Sequence, residues 1–321
     1  MRGLRWSALL LAVVTVSMSG SAYARTAGRL CTADCVTTYV PTGSGRPFAI
    51  TRGAQGSEWF ADSRSIRRID AAGNIVRYPV PDTVGTDISW LTRASDGSIW
   101  FVERVSNRVG RISRHGDITL YDVPAGSGPQ GIVAVPGGDV YFTEPGRNAI
   151  GRLDPATGAE TEFDAPTSPG DPLDIVLGPD GALWFTDENN SRVSRMTLEG
   201  VFTEYDLAPG SVPLRIVAGP DGALWFTELR VGSVARITTD GVLTQYAIGS
   251  SPVGITAGRD GMLYVALFGG QLVRVNTQGE VTGSWDLPGS AFQVGRGSGR
   301  EIWVTDYYGR HVYRVTPYAK S

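Results

Sequence analysis

Six carboxylates recur along this chain at nearly even intervals: Asp62, Glu103, Glu144, Asp187, Glu228 and Asp306. Each stands three residues after an aromatic residue, and Leu267 holds the same place in a seventh copy. Gathered round one axis, such carboxylates could bind a ligand or a hard divalent cation, Mg2+ or Ca2+, which favour oxygen ligands. Crowding would raise their pKa values unless a cation or an arginine compensated. Eleven residues before each aromatic stand Phe48, Ser89, Gln130, Leu173, Leu214, Val253 and Phe292, a mostly apolar set. A face that combines carboxylates with apolar and aromatic walls suits a ligand site. A second column, Arg68, Arg111, Arg152, Arg195, Arg236, Arg274 and Arg314, supports a different reading. In that reading the acids cap turns or pair with arginines and are architecture. Both stay open at the level of sequence.

The elements that must position these residues follow from the repeat. The aromatics are Trp59, Trp100, Tyr141, Trp184, Trp225, Tyr264 and Trp303, separated by 41, 41, 43, 41, 39 and 39 residues. A period of this size marks a repeat architecture. The clearest copies are GPDGALWFTD (178–187) and GPDGALWFTE (219–228). Copy five has four short apolar or alternating runs, around residues 216–218, 223–227, 234–238 and 242–246. Gly-Pro-Asp-Gly and Asp240-Gly241 supply reversals between runs, and no helical period intervenes. Four short strands per repeat make one propeller blade.

Seven copies predict an all-β, seven-bladed β-propeller over residues 36–316. The seventh copy lacks a fourth strand, while Val36-Thr37-Thr38-Tyr39 matches Phe202-Thr203-Glu204-Tyr205. The N-terminal segment is therefore expected to complete the last blade and close the ring, which protects an otherwise open edge. Counting from the hairpin turn, the residue eleven before the aromatic should face the residue three after it.

Composition bounds the rest. Arg2 and Arg5 precede an apolar run that ends at Ala22-Tyr23-Ala24, a pattern that predicts a signal peptide over residues 1–24. Export to the periplasm or the medium follows, with no stable membrane insertion, because the run is short for a span. Residues 25–35 carry Cys31 and Cys35, the only cysteines, which in an oxidising compartment would most simply pair. Residues 317–321 form a short tail. The net charge of −3 gives no basic footprint for nucleic acid. A monomer that binds a small-molecule, peptide or extracellular ligand is expected.

The segments WFTD-x4-RVSRMT and WFTE-x5-VARITTDG, with the other copies, resemble the virginiamycin B lyase family over about residues 36–316. The resemblance implies a seven-bladed propeller that opens cyclic depsipeptides of the streptogramin B type by elimination. It further implies a magnesium-dependent site with a histidine base eleven before an aromatic. Acids two before the histidine and three after the aromatic belong to the same site. Here no copy has histidine at that position. Copy two keeps Asp87 and Glu103 around Ser89, and copy four keeps Asp171 and Asp187 around Leu173. These four acids are the metal ligands the resemblance implies. The two histidines, His115 and His311, fall in an outer turn and at the start of a third strand. Two functions compete: a binding propeller without catalysis, and a metal-dependent lyase or hydrolase with another base, its catalytic residues unknown. SNRVGRI (106–112) also looks like the recognition propellers of NHL type.

Overall fold

The computed structural model describes residues 35–39, 45–81 and 88–318. These contain only strands, turns and loops, arranged as seven antiparallel sheets of four strands. Blades are numbered here in chain order. Blades 1 to 6 span 50–79, 88–122, 132–164, 172–206, 213–247 and 252–286, with the first strand of each innermost. Blade 7 takes three strands from 294–315 and its outer strand from Val36–Tyr39. The expected propeller and its closure are both present.

Each blade is assembled around the repeated aromatic. In blade 4 the turn residue Asp180 accepts hydrogen bonds from the Trp184 indole at 3.1 Å and from Arg195 Nε at 2.7 Å. Trp184 stacks on Tyr205 of the outer strand, with ring centroids 5.5 Å apart. Blade 5 repeats the arrangement with Asp221, Trp225, Arg236 and Tyr246. In blade 6 the aromatics exchange places: the Tyr264 hydroxyl donates to Asp260 at 2.9 Å and Trp285 lies on the outer strand. The turn aspartate thus clamps the aromatic and the arginine column, and Gly181 at φ 77° lets the chain reverse beside it. The arginines are struts within their own blades. Arg111 and Arg195 pair with the turn residues Asp96 and Asp180, leaving Glu103 and Asp187 to other donors.

The first strand departs from simple counting. In blade 4 Pro172, not Leu173, pairs with Asp187, because the register shifts between Pro172 and Ile175. Blades 2 and 5 show a like shift, with Ile88 opposite Glu103 and Pro213 opposite Glu228. A bulge inserts one residue and re-aims its neighbours. A threonine two after the aromatic stitches this bulge to the next blade. The Asp174 N–H donates to Thr186 Oγ1 at 3.2 Å, and that hydroxyl donates to the Leu214 carbonyl at 2.9 Å. Thr305 closes the ring by the same means, donating to the Phe48 carbonyl at 2.9 Å.

At the seam, Val36–Tyr39 pairs residue by residue with Val312–Val315. Tyr39 lies 5.2 Å from Trp303, and the Arg314 guanidinium sits over the Tyr39 ring. Cys35 is disulfide-bonded and its carbonyl accepts from the Thr316 N–H at 2.8 Å. Its expected partner Cys31, and the leader at 1–24, lie outside the described residues. Tyr318, assigned to the tail, is anchored: its hydroxyl donates to Asp260 at 2.5 Å. Among the described residues no helix is long and apolar enough to cross a membrane.

Removing the chain through Tyr39 should expose the third strand of blade 7 as an open edge and uncover Trp303. The expected outcome is a lowered melting temperature and aggregation on heating, read by calorimetry and light scattering against the intact protein.

Candidate functional site

The six repeated carboxylates lie inside the blades, at the ends of the second strands, and all are at least 95% buried. Five have a donor from their own blade. Asp62 pairs with Arg67 at 2.6 Å and Glu103 with Arg108 at 2.8 Å. Asp187 accepts from the Asn190 side chain at 2.8 Å, and Glu228 from Gln245 at 2.6 Å. Asp306 accepts from Ser290 at 2.6 Å and Tyr313 at 2.8 Å, with His311 Nδ1 at 3.5 Å. Glu144 alone of the six has no such donor, and it lies beside Glu160 and Glu162 instead. Burial pushes Glu103, Glu144 and Glu228 above the usual carboxylate range, opposed at Glu103 by Arg108 and at Glu228 by Gln245.

Of the four metal ligands implied by the resemblance, three lie among the described residues and each has a protein partner. Asp187 is occupied by Asn190 and by the Asp171 N–H at 3.1 Å, while Asp171 accepts from the Asn189 side chain at 3.0 Å. Glu103 is held by Arg108, and Asp87 lies outside the described residues.

A second set of residues, at the bulge, meets at the axis instead. Ten residues before the aromatic stand Trp90, Asp174, Arg215 and Gln293, from blades 2, 4, 5 and 7. All four are buried. The Arg215 guanidinium lies 3.3 Å from the centroid of the Trp90 ring, a cation–π contact in a desolvated place. With its amide oxygen facing inward, Gln293 accepts from Arg215 Nε and Nη2. Asp174 accepts the N–H groups of Ile175 and Ile216, each at 3.0 Å. Burial drives Asp174 up and Arg215 down, and the attraction between them opposes both shifts.

Around this floor the side chains of the face form two arcs. One arc is aromatic: Phe48 lies 4.9 Å from Phe292, 5.9 Å from Trp90 and 5.9 Å from Tyr307, all centroid to centroid. The Arg46 guanidinium covers Tyr307 at 5.1 Å. The other arc is charged, with Glu188 and Asp171 among Arg104, Arg215 and Arg230. Burial, helped by Asp171, pushes Glu188 up to about 7, against the pull of Arg215, Arg104 and Arg230. Glu188 is thus a carboxylate of this face that sits close to neutral pH.

Sequence reasoning named Phe48 and Phe292 in the apolar column but missed Arg215, Asp174, Trp90 and Glu188. A signal was available in the neighbouring column, where an arginine and an aspartate interrupt apolar first strands. Only a bulge turns that column toward the axis, and the bulge is invisible in residue counts.

Replacing Arg215 with methionine should leave buried Asp174 without its counter-charge, costing about 3–5 kcal/mol in denaturant unfolding. Adding Asp174→Leu to Arg215→Met should recover most of that loss. Equal destabilisation by the single and double variants would show that packing of Arg215, not charge pairing, matters.

Comparison with known proteins accords with this architecture. The family model for the virginiamycin B lyase family matches residues 19–157 and 125–320. A virginiamycin B lyase from Nocardia farcinica (strain IFM 10152) is 31% identical over 182 residues, which cover 56% of this chain and 62% of that protein. A catalytically inactive histidine-to-alanine virginiamycin B lyase from Staphylococcus aureus, solved with quinupristin, superposes with a TM-score of 0.83 at 31% identity. That match covers 88% of this chain and 98% of the other. A streptogramin B lyase structure gives a TM-score of 0.82 at 30% identity, over 88% of this chain and 97% of that one. The extracellular domain of the one component system BT4673 from B. thetaiotaomicron shares the fold at 14% identity, with a TM-score of 0.71. That match covers 87% of this chain and 42% of that one. The chain belongs to the virginiamycin B lyase family.

Proposed function

We propose that this protein is an exported binding propeller that holds an amphipathic, aromatic-bearing small molecule or peptide on the two-arc face. A cyclic depsipeptide of the kind its relatives are named for is the first candidate. The observation that carries the proposal is the aromatic cluster of Phe48, Phe292, Trp90 and Tyr307, in which two phenylalanines stand in the column expected to hold a histidine. Aromatic walls with a few convergent charges are the usual make-up of a small-ligand site. The Staphylococcus aureus relative carrying alanine for a histidine is described as catalytically inactive. Here His115 lies in an exposed outer turn and His311 sits against Asp306 and Tyr313 at a blade end. Neither belongs to the axial cluster. Export rests on the leader pattern and on the disulfide at Cys35.

Glu188 favours a second reading. A carboxylate poised near 7 can act as a general base at neutral pH, so a lyase or hydrolase using Glu188 is the alternative. Such an enzyme would take the proton of the substrate onto Glu188, with Arg104 and Arg230 positioned to offset negative charge.

Incubation with a streptogramin B depsipeptide separates the two. Calorimetry should show binding, weakened at least tenfold by Trp90→Ala, while mass spectrometry should find no ring-opened product above the no-protein control. Ring opening that is lost in Glu188→Gln, and that rises with pH through about 7, would establish the enzyme instead. Absence of binding would sink the proposed ligand class.

Glu188 also has a stability signature. Its folded pKa of about 7 lies above the unfolded value of 4.5, so the ionised form destabilises the fold. The parent should therefore gain stability relative to Glu188→Gln as pH falls from 8 to 5. Denaturant midpoints of both proteins across that range check the sign.

A further inference from the structure

Blade 3 breaks the rule that the other acidic blades obey. Its second-strand carboxylate, Glu144, is fully buried and neither oxygen accepts a hydrogen bond. The Ser127 hydroxyl nearby has one proton and donates it to the Pro124 carbonyl at 2.7 Å. Glu144 runs across the blade toward the outer strand over Gly151, where a β-carbon would come within 3.0 Å of Glu144 Oε2. The outer strand meets it with Glu162, paired to Gly151 in register, and with Glu160 two residues before. Ligand oxygens of Glu144, Glu160 and Glu162 all lie within 4.8 Å of one another. Blade 5 fills the same place with a donor. There Gln245 occupies the register position of Glu162, opposite Ala235, and donates to Glu228 at 2.6 Å.

The local charge is uncompensated. Arg147 pairs with Glu162, through Nε to Oε2 and through Nη2 to Oε1 at 3.0 Å. Three carboxylates and one guanidinium leave two negative charges. Glu160 Oε1 is also buried with no hydrogen bond. A bare buried carboxylate is costly, and two more acids beside it aggravate the cost. A hard divalent cation resolves all of this at once. Calcium takes oxygens at about 2.3–2.6 Å in irregular geometry, so two of its ligands lie at most about 5 Å apart. The spacing of the trio matches. Magnesium demands a near-ideal octahedron and suits three ligands from two strands less well.

We propose that Glu144, Glu160 and Glu162 form a structural calcium site in blade 3, distinct from the axial face, with half-exposed Glu160 and Glu162 leaving the ion open to water. The site holds the outer strand of blade 3 to its second strand, as the Gln245–Glu228 bond does in blade 5.

The test uses the whole protein freed of metal by chelation. Calcium titration by calorimetry should show one site, and a hundredfold excess over Kd should raise the melting temperature by at least about 3 °C. Glu160→Gln should lose the heat of binding and the calcium-dependent rise. Glu162→Gln should lose both as well, and should raise the melting temperature of the metal-free protein by rebuilding the blade 5 bond. Glu103→Gln, in blade 2, should keep the calcium response. No calcium response in the parent overturns the proposal, as does a response that survives in either Glu160→Gln or Glu162→Gln.

Discussion

In five blades a buried carboxylate at the end of the second strand is answered by donors close to it in the chain, and those blades are arranged around that pairing. Six second strands end in an acid that is at least 95% buried, where an unanswered charge is expensive. The answers differ in chemistry. Arginine serves Asp62 and Glu103, asparagine serves Asp187, glutamine serves Glu228, and a tyrosine with a serine serves Asp306. The acid persists while its donor changes, so its role is to tie the end of the second strand to whatever stands near it. Leu267 shows the other solution, in which blade 6 has no charge there and needs no donor.

A second carboxylate, in the hairpin turn, does the complementary work at the opposite end of the strand. Asp180, Asp221 and Asp260 each hold the aromatic and the third-strand arginine together. These pairs are partly exposed, and as isolated ion pairs they would contribute little. Their value is geometric: the arginine and the outer-strand ring are fixed on one face of the blade, over an aromatic that is completely buried in blades 4 and 5. With both ends of the second strand pinned, blades can differ in sequence and still stack. Threonines such as Thr186 then couple neighbouring blades through main-chain carbonyls, which makes the coupling independent of side-chain identity.

This explains which parts of the molecule were legible. The blade count, strand order and closure by Val36–Tyr39 depend on local signals that recur seven times, so residue spacing carries them. The acids were legible as a column, but not their role. Arg68 and its equivalents outnumber every other cation in the pattern and drew the expected pairing. In the structure strand alternation sends five of them to turn aspartates, while Arg108, directly opposite Glu103, takes the acid. The axial cluster was not legible from residue spacing. Trp90, Asp174, Arg215 and Gln293 come from four blades, and their convergence requires both the ring and a bulge that shifts the register by one residue.

The axial cluster also bears on what the fold can do without the histidine its family site calls for. Arg215 places a positive charge under the face, where it draws Glu188 toward ionisation while burial and Asp171 push the other way. The arginine is itself spread over Trp90, so the charge that tunes Glu188 is fixed by an aromatic ring of the opposite arc. The two halves of the face are therefore not independent. A ligand that stacks against Phe48, Phe292 and Tyr307 rests on the same floor that sets the protonation of Glu188. Excluding water there would raise the cost of its charge further and favour the neutral acid. On such a face an aromatic ligand and a working carboxylate base oppose each other, and this opposition is the physical reason for proposing binding rather than proton abstraction.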